Sequence, residues 1–143
     1  MDARQQRIAD DLAGAFQGEL RFDRVARSLY ATDASLYEIP PLGVACPRHA
    51  DDVALLARYA AENSLPLVPR GAGTGLAGGS IGGGLVVDFS RYMTGVLEFG
   101  EETVRVQPGV VRDQLNRQLR SRGRYFPPDP SNTAVTTIGG MLG

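Results

Sequence analysis

Eight of the eighteen glycines in this chain of 143 residues lie between Gly71 and Gly84. Glycine in a helix interior costs about 1 kcal/mol relative to alanine, so this segment is not predicted to be helical. Gly73, Gly75 and Gly78 match the spacing G-x-G-x-x-G. In a Rossmann site those glycines lead into a helix that holds a dinucleotide diphosphate, whereas here more glycine and an apolar run at 85–89 follow. The sequence therefore argues against a Rossmann site.

Composition excludes several other classes of site. All fifteen positive charges are arginine, so the chain lacks the lysine of a Walker A loop or of a pyridoxal Schiff base. The net charge of −1 provides no basic field for nucleic acid, and no nucleic-acid partner is expected. A single cysteine excludes an internal disulfide framework and a cysteine zinc site, and no metal site is predicted. No apolar run approaches the ~20 residues of a membrane span.

The remaining functional interpretation of the glycine cluster is a loop whose own amides bind an anion. Glycine allows a ligand to approach the backbone, and successive N–H groups can converge on a phosphate. Such a site needs no lysine, and Arg70 at the loop entrance could add charge. The alternative is a flexible or tightly turned loop without a ligand. The two strands predicted on either side favour the binding site, since a loop on a fixed scaffold often carries function.

Hydrophobic periodicity predicts an α+β fold with a βαβ start and an antiparallel continuation. An amphipathic helix is predicted over 3–16, ending at Gly18, and an extended lead-in over 20–40. The later predicted elements are strands at 43–46 and 65–69, parallel to each other and separated by a helix at 51–63, a strand at 85–89, a hairpin of 95–99 with 103–107, and a helix from Val111 that Gly123 terminates.

One short segment and three single residues outside the glycine cluster also carry predictions. Gly139 and Gly140 follow Thr136 and Thr137, a polar edge that suits either a ligand or a strand-to-turn junction. Single residues of interest have structural interpretations: Asp88 in a buried strand, bonding loop amides; His49 on the surface before a helix; and Cys46 as a small buried hydrophobe.

Taken in order, these segments resemble the FAD-binding domain of the FAD-linked oxidase family, which includes vanillyl-alcohol oxidase and D-lactate dehydrogenases. The resemblance covers roughly residues 30–143 and implies the first lobe of that domain. The motifs that carry it are Pro47, Pro69-Arg70-Gly71-Ala72-Gly73-Thr74-Gly75, Val86-Val87-Asp88-Phe89-Ser90, Val106-Gln107-Pro108-Gly109-Val110, Pro128-Asp129-Pro130-Ser131 and Thr137-Ile138-Gly139-Gly140-Met141.

The resemblance implies cofactor-binding roles along three segments. Backbone amides from Arg70 to Gly75, beginning at Pro69, would wrap the FAD diphosphate, and Leu76 to Ser80 would continue along the cofactor. The residues implied in contact are Pro69, Arg70, Gly71, Ala72, Gly73, Thr74, Gly75, Leu76, Gly78, Gly79, Ser80, Pro108, Gly109, Pro130, Ser131, Thr137, Gly139 and Gly140. No residue of this chain is expected to be the catalytic base.

One departure from the family concerns the attachment of the flavin. Some relatives hold FAD covalently through a histidine in the glycine loop, where this chain has Thr74. Non-covalent FAD is therefore expected. Tyr30-Ala31-Thr32-Asp33-Ala34-Ser35 and Ile39-Pro40-Pro41 are similar to large bacterial oxidoreductases that also carry iron–sulfur centres, which would lie in a missing C-terminal part of the parent.

The resemblance implies a flavin-dependent oxidoreductase that oxidises a 2-hydroxy acid of the D-lactate or D-2-hydroxyglutarate type. Its substrate would be bound by a missing domain, and we expect residues 1–40 to be a helix and lead-in and 41–143 a truncated FAD-binding domain. The isolated fragment is expected to bind FAD weakly or not at all, to be inactive, and to oligomerise through its exposed edge. A cytoplasmic location is expected, peripheral association with the inner membrane face being the alternative. Two other functions remain open, a non-catalytic nucleotide- or phosphate-binding module and a purely structural domain.

Overall fold

The computed structural model describes residues 1–142, and Gly143, the last residue of the predicted domain, lies outside them. A four-stranded sheet has the order β1-β2-β4-β3, and β5 and β6 form a separate hairpin. The elements are α1 (Ala3–Leu12), β1 (Glu19–Arg21), α2 (Arg24–Leu29), β2 (Gly43–Cys46), α3 (Ala50–Glu62), β3 (Leu67–Arg70), β4 (Leu85–Asp88), β5 (Val96–Phe99), β6 (Val104–Val106), α4 (Arg112–Arg120) and a 3₁₀ turn, Gly139–Met141.

The α+β class and the parallel start are confirmed, with β4 placed between the two strands of the βαβ unit. Strands β2 and β3 each pair with β4 in parallel, so they run in the same direction without being neighbours. The antiparallel continuation is the β5–β6 hairpin. No helix interrupts the glycine-rich connection from β3 to β4, which is consistent with the exclusion of a Rossmann turn.

The predicted lead-in over 20–40 is wrong in part, because it contains secondary structure. Strand β1 extends the sheet by pairing antiparallel with β2. Helix α2 follows, and the side chain of Asp23 caps it by accepting a hydrogen bond from the Ala26 amide. Helix α1 is also shorter than predicted: it ends at Leu12, and Gly14, not Gly18, has the positive φ of 77° that follows it. At the end of α4, by contrast, Gly123 is left-handed as expected, with φ of 66°.

Alternation of side chains along the strands divides the core into two layers. Ala45, Leu85 and Val87 pack with α1 and α3 on one face of the sheet. Val44 and Val86 point to the opposite face, with Cys46, against Ala26 of α2. A third cluster is formed where α4 lies on the hairpin. These layers hold β3 and β4 in place. The glycine loop (residues 71–84) leaves the carboxyl end of β3 and crosses back to the amino end of the parallel strand β4. No helix within residues 1–142 is long and apolar enough to span a bilayer.

Candidate functional site

A cavity of about 620 Å³ lies where the parallel strands β3 and β4 end. Its first wall is formed by residues of the glycine loop between 71 and 80, and its second wall by residues of the segment 136–142 together with Pro108. Ligands of open α/β sheets bind at the carboxyl ends of parallel strands, so the position agrees with the topology. The volume is also in the usual range of roughly 300–1,000 Å³ for small-molecule sites.

Most of the residues expected to contact a cofactor line this one cavity. They are Pro69, Arg70, Gly71, Ala72, Gly73, Thr74, Gly75, Gly79, Ser80, Pro108, Thr137, Gly139 and Gly140. The structure adds Phe89, Thr136 and Leu142, which were not among the predicted contacts. Thr136 could have been identified from the sequence, because it belongs to the polar segment that precedes the second glycine pair.

Five of the expected residues do not line the cavity. The side chain of Leu76 is 80% exposed. Gly78 faces the ring of Tyr37, which would lie 2.9 Å from an added Cβ. Gly109 is a packing glycine, because a Cβ there would stand 2.2 Å from the carbonyl oxygen of Phe89. The remaining two, Pro130 and Ser131, lie in the turn that precedes the second wall.

The charge of the cavity favours an anion. Among its lining residues within 1–142, Arg70 is the charged one, and none is aspartate, glutamate or histidine. The Arg70 guanidinium, however, points its Nη1 at the protein. This nitrogen donates to the carbonyl oxygens of Thr32 at 2.9 Å and Ser80 at 3.3 Å. The positive charge of Arg70 therefore lies at the edge of the cavity, but its Nη1 already donates to carbonyl oxygens of the protein.

Most backbone amides of the loop segment 71–79 have no protein partner, apart from Gly78, whose N–H closes the turn at 76–77. Within the described residues, no other backbone N–H from 71 to 79 donates a hydrogen bond of good geometry to a protein acceptor. Amides left in this way are normally paired with water or a ligand. The loop thus presents a run of donors at the rim of a cavity that has no acidic lining residue.

The glycines of this site fall into two groups by what surrounds them. A Cβ on Gly71 would stand 2.1 Å from Oγ1 of Thr137, and one on Gly139 would stand 2.7 Å from Cβ of Pro108. These two glycines allow the walls to pack closely. Gly75 and Gly79 have nothing within 4 Å of an added Cβ, so their open side faces space that a ligand can enter.

Asp88, at the carboxyl end of β4, stabilises the base of the site. Its buried carboxylate accepts hydrogen bonds from the amide and the hydroxyl of Ser90, both at 2.7 Å, and from the hydroxyl of Tyr30. The predicted structural role is therefore correct, but the amide it binds belongs to Ser90 and not to the glycine loop. Burial, and then the bond to Asp88, raise the pKa of Tyr30, which keeps its hydroxyl a donor.

His49 and Cys46 lie outside the lining residues. His49 is the N-cap of α3, and its Nδ1 accepts from the Asp52 amide at 3.4 Å. Its Nε2 lies 3.2 Å from Oε1 of Gln17, so both nitrogens have structural partners. Cys46 is fully buried in β2, as expected, and this burial is the main cause that raises the pKa of its thiol to about 11.

Comparison with known proteins identifies the family of this domain. Residues 41–143 match the model of the FAD binding domain. The chain is 42% identical over 132 residues to D-2-hydroxyglutarate dehydrogenase from Pseudomonas putida, covering 89% of this chain and 13% of the relative. It is 40% identical to glycolate oxidase subunit GlcD from Bacillus subtilis, covering 87% of this chain and 28% of the relative. The structure of an alkyldihydroxyacetonephosphate synthase shares the fold, with a TM-score of 0.85 and 23% identity, covering 96% of this chain and 28% of that one.

Both the sequence and the fold comparisons therefore agree on the class of domain, while the chain spans only a small part of each relative. The match to the family model begins at residue 41, just before β2, and includes both walls of the cavity. The chain belongs to the FAD-binding domain family of FAD-dependent oxidoreductases.

Proposed function

We propose that this chain forms the diphosphate-binding part of the FAD site in an oxidoreductase that oxidises a 2-hydroxy acid, of the D-2-hydroxyglutarate or D-lactate type. One observation carries the proposal: the amides of residues 71–79, most of which have no protein partner, border a cavity with no acidic residue among those that line it. A diphosphate needs several donors and tolerates no adjacent carboxylate in its contact layer. The names of the relatives from Pseudomonas putida and Bacillus subtilis support a 2-hydroxy acid as substrate.

The residues present fit an FAD molecule at this position. The Cβ sides of Gly75 and Gly79 are open, so phosphate oxygens could approach the backbone there. Apolar groups of Phe89, Pro108 and Leu142 line the remaining surface and would exclude water from the less polar parts of the cofactor. When bound, FAD supplies the two-electron acceptor, whereas the protein binds and orients it.

The proposal assigns no proton acceptor to this chain. Within residues 1–142, the cavity lining has no carboxylate and no imidazole, and the single histidine caps α3. The group that removes the hydroxyl proton and the groups that bind the acid would then come from another part of the enzyme. Iron–sulfur centres are proposed there as well, because the one cysteine of this chain is buried in β2.

Binding is proposed to be non-covalent, since Thr74 occupies the loop position at which some relatives carry the linking histidine. Acid precipitation of the flavin-loaded enzyme should leave the flavin in the supernatant. Flavin fluorescence in the polypeptide band of a denaturing gel would contradict this expectation. A cytoplasmic location and a homo-oligomer complete the proposal, and sedimentation of the intact enzyme would test the second.

Two matched glycine substitutions test the diphosphate assignment. Gly75 and Gly83 both have open space around an added Cβ and no positive φ, but Gly75 alone lines the cavity. The valine side chain of Gly75→Val would fill the open space and keep phosphate oxygens from the loop amides. Since a hydrogen bond to a charged group contributes roughly 1.5–3 kcal/mol, FAD binding by the intact enzyme should weaken by about tenfold or more. Gly83→Val should leave affinity unchanged.

Flavin fluorescence titration measures both variants, with thermal unfolding as the check on folding. Equal affinities for Gly75→Val and Gly83→Val would overturn the assignment of the loop. An intact protein that binds ADP but no FAD would favour the alternative of a non-catalytic nucleotide-binding module.

A further inference from the structure

A segment outside the matched family model packs against the glycine loop. Residues 30–37, named here the strap, follow α2, whereas the family match begins at residue 41. The amide of Ala34 donates to the carbonyl oxygen of Gly73 at 3.0 Å. At the other end of the strap, the ring of Tyr37 lies against Gly78. The strap is therefore in contact with the loop on the side of its carbonyl groups.

Asp33 makes the side-chain contact between the strap and the loop. Its Oδ2 accepts from the Ser80 hydroxyl at 2.9 Å, and its Oδ1 accepts from the Ser35 amide at 2.8 Å. Burial raises the pKa of Asp33, but the hydrogen bonds from Ser35 and Ser80 outweigh it, so the pKa lies below the ordinary value. An ionised carboxylate thus stands directly behind a loop that presents amides to an anion.

Arg70 joins the same contact from the sheet. Its guanidinium stacks 5.2 Å from the ring centre of Tyr30, while Nη1 bridges the carbonyl oxygens of Thr32 and Ser80. Its Nη2 lies 2.7 Å from the Cβ position of Gly73, and the φ of 68° at Gly73 also favours glycine there. Arg70 accordingly connects the strap to both the start and the end of the loop segment 70–80.

The direction of a carbonyl in the loop determines the direction of the amide that follows it. In a trans peptide the C=O of one residue and the N–H of the next point in opposite directions. Because the Gly73 carbonyl is held by the strap, the Thr74 N–H points away from the strap. Thr74 lines the cavity, so that N–H is directed to the side where a ligand enters.

We propose that the strap and Arg70 are positioning elements of the anion site: the strap holds the Gly73 carbonyl and so aims the Thr74 amide into the cavity, while Asp33 and Arg70 hold Ser80 at the far end of the lining segment. This inference rests on the proposed function of the loop. It assigns to Arg70 a role through the strap and not as a phosphate ligand. It also makes residues 30–37 part of the binding unit, although they precede the matched domain.

The direction in which Asp33→Ala changes FAD affinity distinguishes a positioning role of Asp33 from a direct effect of its charge. Removing a carboxylate beside an anion site strengthens binding if charge alone matters. If the strap positions the amides, Asp33→Ala weakens FAD binding in the intact enzyme, by roughly twofold to tenfold for a lost hydrogen bond. Glu101→Ala, in the exposed β5–β6 turn, removes the same charge without touching the loop and should leave affinity unchanged.

Ser80→Ala breaks the same hydrogen bond from the loop side without altering charge, so it should weaken binding to a similar degree. If Asp33→Ala does not fold, Ser80→Ala still tests the same hydrogen bond. The double variant should bind FAD about as weakly as either single one, because both remove one interaction. Equal or tighter binding by Asp33→Ala, or an unchanged affinity of Ser80→Ala, would overturn the inference.

A measurement without cofactor distinguishes failure of the strap from failure of the FAD assignment. Amide chemical shifts of residues 73–75 in the ligand-free intact protein should change in Asp33→Ala and Ser80→Ala and stay constant in Glu101→Ala. If the wild type bound no FAD while these shifts changed, the proposed function would fail and the positioning role would stand. If the shifts were unchanged, the positioning role would fail even in a protein that binds FAD.

Discussion

The two walls of the cavity are both rich in glycine but use their backbone in opposite ways. In the glycine loop, the amides of residues 71–79, apart from that of Gly78, have no protein acceptor of good geometry within the described chain. In the second wall, Ile138 donates to Val110 at 2.8 Å and Gly139 donates to Pro108 at 2.9 Å. The loop is held through Gly73 and Ser80 by the strap and Arg70, whereas the second wall is held through its own backbone amides.

This difference shows that glycine content alone does not identify a ligand-binding surface. Each backbone N–H must find a partner, so accounting for the amides separates donors kept for a ligand from donors used in packing. By that criterion the loop has donors that a ligand could use, whereas the donors of the second wall are used within the protein. Gly139 is present because Pro108 lies too close for a side chain, as Gly71 is because of Thr137.

The largest expected effect lies where the two walls touch. Gly71→Ala would place Cβ 2.1 Å from Oγ1 of Thr137, a buried hydroxyl that cannot move away freely. Overpacking of this kind costs about 1–3 kcal/mol in the free energy of unfolding, which urea denaturation measures. Thr137→Ala removes the atom that clashes and should restore most of the loss in the double variant.

Gly75→Ala is the control for that pair, because nothing lies within 4 Å of its Cβ position. It should leave the free energy of unfolding nearly unchanged. If Gly71→Ala and Gly75→Ala destabilised the chain equally, or if Thr137→Ala gave no rescue, the close contact between the walls would not exist as described.

A smaller effect is expected from the hydrogen bond beneath the loop wall. Tyr30→Phe removes the hydroxyl that donates to the buried carboxylate of Asp88, which should cost about 1 kcal/mol in the free energy of unfolding. Tyr59→Phe removes an exposed hydroxyl that donates to Asp11 and should stay within about 0.5 kcal/mol of wild type. Thermal or urea unfolding of the two variants gives the comparison.

The same pair of variants has a pH signature. The pKa of Tyr30 is raised in the folded state, so its stabilising contribution is complete below pH 10 and is lost as pH rises above that value. Stability should therefore decline above pH 10 in the wild type, and Tyr30→Phe should flatten the decline more than Tyr59→Phe. Because the chain contains no lysine, no lysine side chain titrates in this range. Identical slopes in both variants would contradict the assignment.

The position of the glycine loop could be predicted from the sequence, because the glycine cluster lies between two apolar runs that predict strands. The support of that loop could not be predicted. Helix α2 has six residues with one of them buried, so its apolar residues produce no periodic pattern. The N-cap residue Asp23 could have indicated the start of this helix. The contacts of the strap with the loop join residues about forty positions apart, such as Ala34 and Gly73, and no local pattern encodes them.

Individual contacts on the walls failed for a related reason. Gly75 and Gly109 look alike in sequence, yet the first opens on the cavity and the second packs on the carbonyl of Phe89. Sequence order also misled at Leu76, which follows a lining residue but is exposed. A loop residue that lines the cavity can be followed by one whose side chain faces solvent, so adjacency to a lining residue does not make a contact.

The least perturbing test requires no substitution. Amide hydrogen exchange in the cofactor-free intact protein should be fast for the unpartnered amides of residues 71–79 and slow for Ile138 and Gly139, whose amides are bonded within the protein. Adding FAD should slow exchange in the loop and leave the second wall nearly unchanged, because only the loop has donors to offer. Protection of both walls before FAD is added would mean that the loop amides already have partners. The distinction between a binding wall and a supporting wall would then be lost.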